Sequence, residues 1–63
     1  MKLRVFQRHL QKHGCAFLRE GANHTVWYNT KNNKTSTVPR HPEVDDDLAV
    51  KICKDLEISR PKK

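Results

Sequence analysis

The sequence predicts an α+β domain of order α-β-β-β-α, a three-stranded antiparallel sheet with two helices on one face. Two observations and one packing requirement predict it. Apolar residues recur at helical spacing near both ends of the chain, over Leu3 to His13 and over Leu48 to Leu56. Between these segments lie three short runs rich in β-branched and aromatic residues, separated by polar turns. Two helices that each carry one apolar stripe need a common surface, and one face of a sheet supplies it.

Each element has its own justification. Leu3, Phe6 and Leu10 share one narrow arc at about 100° per residue, and Arg4, Arg8, Gln11 and Lys12 lie away from it. Gly14 stops this helix, because it can take the left-handed conformation after the last turn. A helix of about three turns does not stand alone and must lie on a sheet. Cys15 to Arg19 and Thr25 to Asn29 read as strands joined by Glu20-Gly21-Ala22-Asn23-His24. Asn29-Thr30-Lys31-Asn32-Asn33 is a polar hairpin loop. Lys34 to Val38 is a weaker third strand, ended by Pro39. Pro39-Arg40-His41-Pro42 is a rigid extended link. Asp45-Asp46-Asp47 opens the last helix: one carboxylate can cap free N–H groups, and all three favour the positive end of the helix dipole. Leu48, Ala49, Ile52, Cys53 and Leu56 form its apolar stripe. Residues 1–58 thus make one domain, and Ser59-Arg60-Pro61-Lys62-Lys63 is expected to be a flexible basic tail.

The faces of the sheet follow from alternation. With Trp27 as the core anchor, His24, Val26 and Tyr28 share the open face. The first strand is apolar on both parities and does not say which side is inside.

Size and charge narrow the function. A chain of 63 residues, 35% of them hydrophobic, buries only about 60% of its unfolded surface. That leaves room for one thin core and for no enclosed substrate chamber, so any site is open and its ligand is larger than a metabolite. Residues 1–40 hold eight basic side chains and one acidic, a net of +7, while residues 41–63 net −1. The first two thirds is therefore the side expected to meet a polyanion. No apolar run is long enough for a signal peptide or a membrane span, and two cysteines are too few for a disulfide scaffold, so a cytoplasmic protein without membrane contact is expected.

The chemistry-bearing residues are few. His9 and His13 at i and i+4, with Cys15 and Cys53, could be arranged as a metal site. There is no Cys-x-x-Cys pair, however, and small thiols on apolar stripes are commonly buried, so no metal and no cofactor is expected. No nucleophile elbow, P-loop or dinucleotide glycine pattern is present. What remains is an imidazole in a basic setting. RNA carries its own nucleophile, the 2′-hydroxyl, so cleaving it needs only a proton acceptor, a proton donor and positive charge near the phosphate. His24, after Gly21-Ala22-Asn23 at the start of the second strand, is the candidate; a plain surface histidine is the other reading of the residue.

Gly21-Ala22-Asn23-His24, followed at this distance by Val38-Pro39-Arg40-His41-Pro42-Glu43-Val44, resembles the HicA toxins of HicA–HicB toxin–antitoxin pairs. Phe6 through Cys15 resembles their first helix and turn, and Leu48 through Ile58 their last helix, so the resemblance covers about residues 3–58. It implies a double-stranded-RNA-binding-domain-like fold. It also implies an endoribonuclease that cleaves mRNA and is held inactive by a HicB-like antitoxin. The family's functional histidine falls on His24. Many members have Gly-Ser-His-His there; this chain has Ala22-Asn23, so a serine hydroxyl has no counterpart. The expected reaction is metal-independent, with His24 as general base or general acid. Arg19, Lys31, Lys34 and Arg40 are expected to bind RNA phosphates and Tyr28 to stack on a base. The toxin is expected to be a monomer when free, because burying two helix stripes should leave no exposed apolar stripe, and a hetero-oligomer with an acidic antitoxin. The alternative is a non-catalytic RNA-binding module of the same fold.

Overall fold

The computed structural model describes residues 1–61. Helix α1 spans Leu3–Lys12, strands β1, β2 and β3 span Cys15–Glu20, His24–Asn29 and Thr35–Pro39, and helix α2 spans Asp46–Leu56. The sheet is antiparallel, in the order β1-β2-β3. The expected α-β-β-β-α order is the one observed, with the first two strands each one residue longer than expected. The molecule is only 16 Å through its thinnest direction, enough for one sheet and one helical layer. α1 packs mainly on β1 and α2 on β3.

Both helices reach the sheet through the predicted stripes. Phe6 and Leu10 of α1, and Ala49, Ile52, Cys53 and Leu56 of α2, are buried with Cys15, Trp27, Val38 and Val44. Trp27 is the sheet's anchor, as expected, and its indole N–H donates to Thr25 Oγ1 at 3.0 Å. Thr25, Trp27 and Asn29 therefore point toward the helices, which turns His24, Val26 and Tyr28 to the open face. Cys15 and Cys53 are free thiols in this core. Burial pushes both up, Cys53 to about 11, with Cys15 raising it further.

The ends of the helices are closed differently. Gly14 has φ +85°, the left-handed conformation that favours glycine after α1. At α2, Glu57 takes the left-handed conformation and the Ile58 N–H donates back to the Cys53 carbonyl at 2.9 Å. The β2–β3 loop completes this end. Buried Asn29 donates from Nδ2 to the Leu56 carbonyl at 2.8 Å and accepts the Lys31 N–H at Oδ1 at 2.9 Å. The polar loop read from sequence as a simple hairpin turn is thus also a cap for α2. At the start of α2, Asp45 occupies the capping position but its side chain makes no capping hydrogen bond, contrary to the expectation. Asp46 instead lies 3.6 Å from the Met1 ammonium. The acidic run acts on the helix through charge alone.

One further expectation changes. β1 carries a bulge: Phe17 pairs with Trp27 but Arg19 with Val26, so Leu18 is an extra residue. Phe17 and Leu18 stay 49% and 48% exposed on this edge strand, so burying the helices does leave apolar side chains in the open. At the start of the tail the Ser59 carbonyl and His9 Nε2 are 2.8 Å apart. The rest of the tail expectation falls partly on Lys62 and Lys63, which lie outside the described residues.

Candidate active site

His24 opens β2, opposite Pro39 of β3. The Gly21 N–H donates to the His24 carbonyl at 2.7 Å, which closes a loop of only Ala22 and Asn23. A Cβ on Gly21 would sit 3.2 Å from that carbonyl oxygen, so the closure is tight enough to favour glycine. Pro39 has no N–H to donate and ends the ladder on the other side. The imidazole is thus presented at the end of the central strand, exposed, on the face that no helix covers.

Beside it, Asn23, Arg40, His41 and Pro42 line an open cleft of about 270 Å³. Arg40 is ion-paired with Glu20, across the entrance to β2 from the far strand. Both partners are largely exposed, so this pair is worth about 0–1 kcal/mol and leaves the guanidinium able to exchange Glu20 for a phosphate. The link after β3 is held by α1: the Leu3 N–H donates to the Pro42 carbonyl at 2.8 Å, and the Val44 N–H to the Met1 carbonyl at 2.8 Å. The first turn of α1 therefore lies at the His24 end of the sheet.

The sequence-predicted residues divide between two ends. Arg19 pairs with Val26 on the open face, and Arg40 follows Pro39, so both lie near His24. Tyr28 shares that face but is about 14 Å along the strand. Lys31 and Lys34 stand on the β2–β3 loop at the opposite end, and Lys34 Nζ is 4.0 Å from Glu57. The structure thus brings Arg19 and Arg40 to the His24 end and leaves Lys31 and Lys34 at the other end of the sheet. His41 and Asn23 join the His24 end without having been singled out for chemistry. The signal for His41 was present in its motif; that for Asn23 was only its adjacency.

The other histidines are elsewhere. The rings of His9 and His13 are 4.2 Å apart on α1, and His13 Nδ1 is 3.0 Å from the His9 carbonyl. Among the described residues no group of three or more His, Cys, Asp or Glu is arranged to hold a metal ion. Among the described residues no helix is long and apolar enough to cross a membrane.

A family model described as HicA toxin of bacterial toxin-antitoxin matches residues 4–58. No curated protein and no solved structure matches the chain.

Proposed function

Because the chain belongs to the HicA toxin family of bacterial toxin–antitoxin systems, we propose that it is an mRNA-cleaving endoribonuclease whose chemistry rests on His24. One observation carries the reading beyond the family: the residue matching the family's functional histidine is held outward on the uncovered sheet face, beside a cleft with Arg40 and His41.

The reaction needs no cofactor. A base takes the proton from the 2′-hydroxyl, O2′ attacks phosphorus, and the bond from phosphorus to O5′ breaks as O5′ gains a proton. The products are a 2′,3′-cyclic phosphate and a 5′-hydroxyl. His24 serves as the base, or as the acid at O5′, and Arg40 offsets the charge that builds on the phosphate oxygens. Arg19 holds a neighbouring phosphate. Tyr28 meets the strand farther along the open face, and Lys31 and Lys34 meet it at the β2–β3 loop beyond. Control comes from outside: an acidic, oligomeric HicB-like antitoxin covers the open face and is drawn to it by charge in the cytoplasm.

The test is the product and the metal dependence. Cleavage of a defined RNA in excess chelator should proceed at the full rate and leave 2′,3′-cyclic phosphate and 5′-hydroxyl ends. Activity lost in chelator and restored by Mg²⁺, with 5′-phosphate ends, would overturn the mechanism.

A further inference from the structure

We propose that the outer face of α1 is a second RNA-binding surface, a row of cations that holds the phosphate backbone of the strand running from the His24 end. The proposal rests on the ribonuclease reading and adds to it a surface on the helical layer, away from the sheet face.

Arg4, Arg8 and Lys12 are exposed and stand four residues apart. At about 100° per residue they fall within about 80° of one another, in a row with a cation about every 6 Å. None of them has an acidic partner among the ion pairs of the described residues. Arg40 and Lys34, which sequence alone marks for phosphate binding, are both paired with glutamates. Lys2, Arg19, Lys31 and Lys54 are unpaired among the described residues as well, but α1 sets three unpaired cations in one row.

This charge also works against the helix that carries it. α1 has no acidic residue in its first turn, and its capping position is Lys2, with no side-chain capping bond. Lys2 and Arg4 sit at the positive end of the helix dipole, an unfavourable place for a cation. Arg4 with Arg8, and Arg8 with Lys12, are like-charge pairs at i and i+4. Only Lys12 is placed where the dipole favours it. A local arrangement that opposes stability marks a functional surface, and a polyanion is the ligand that relieves it.

Position fits the same ligand. The row starts at the first turn of α1, which is bonded to Pro42 in the cleft beside His24. An RNA strand seated at His24 can pass round that end of the sheet and continue along α1.

The experiment measures RNA binding on a His24→Ala background, with a labelled unstructured RNA of about 16 nucleotides. Arg4→Gln, Arg8→Gln and Lys12→Gln together keep helix propensity. They should weaken binding about tenfold or more and cut the slope of log affinity against log salt by about 2, three contacts at about 0.7 each. Lys51→Gln with Lys54→Gln, on α2, should leave both quantities where they were. The proposal is overturned if the α1 variant binds like its parent, or if the α2 variant weakens binding equally. It is also overturned if the α1 variant loses affinity for the antitoxin alone, which would give the row to an acidic protein. If the wild type cuts no RNA and the His24→Ala parent binds none, the ribonuclease reading falls and takes the row with it. Cutting by the wild type with unchanged binding by the α1 variant removes the row only.

Discussion

The two helices lie on one face of the same sheet and are nearly equal in length, yet their outer faces follow opposite rules. α2 has Asp46 and Asp47 in its first turn, Lys54 in its last, and a Lys51–Asp55 pair at i and i+4 with 3.1 Å between charges. Each of these favours a helix. α1 has no acid at all, and cations at its positive end. The inner faces do not differ in this way: both are apolar stripes with fully buried side chains. The difference teaches where stability and function are separated. α2 serves the fold on both faces, while α1 serves the fold with one face and presents charge with the other.

The inner faces are the place to break that comparison. Leu10→Ala in α1 and Ile52→Ala in α2 should each cost about 2–5 kcal/mol, which in a domain this small shows as unfolding or a large drop in melting temperature. Comparable losses are expected; a tolerated Leu10→Ala would mean that α1 is not a core element. A smaller effect is expected at the buried polar group that α2 borrows from the sheet. Asn29→Ala leaves the Leu56 carbonyl only the long 3.5 Å contact from Asn32 Nδ2 and should cost about 1–3 kcal/mol, measured by denaturant titration. The smallest effect has opposite signs on the two helices. Arg4→Gln with Arg8→Gln removes repulsion and should raise stability by several tenths of a kcal/mol to about 1 kcal/mol. Asp46→Asn with Asp47→Asn should lower it by a similar amount. Equal signs in thermal melts would refute the contrast.

Much of this was legible in the sequence because the responsible forces are local or periodic. The stripe of Phe6 and Leu10, the stop at Gly14 and the burial of Trp27 follow from spacing and from backbone freedom. The outward setting of His24 follows from Trp27 by alternation. The chemical role proposed for it rests on the motif, because an exposed histidine at a strand start has no physical signature of its own. The rest depended on contacts between distant segments. Lys34 looks like a free cation until Glu57 arrives from the end of α2, and Arg40 until Glu20 arrives from β1. Asn29 reads as a loop residue until the Leu56 carbonyl is placed beside it. The bulge at Leu18 was hidden because β1 is apolar on both parities, so no pattern marks the slipped residue.

The central claim is that the exposed imidazole of His24 does chemistry and contributes nothing to the fold. The most direct test is to measure cleavage of a defined RNA and the melting temperature on the same preparations of wild type and His24→Ala. Loss of cleavage with the melting temperature unchanged is the predicted result. A His24→Ala protein that still cuts RNA at the wild-type rate would contradict it.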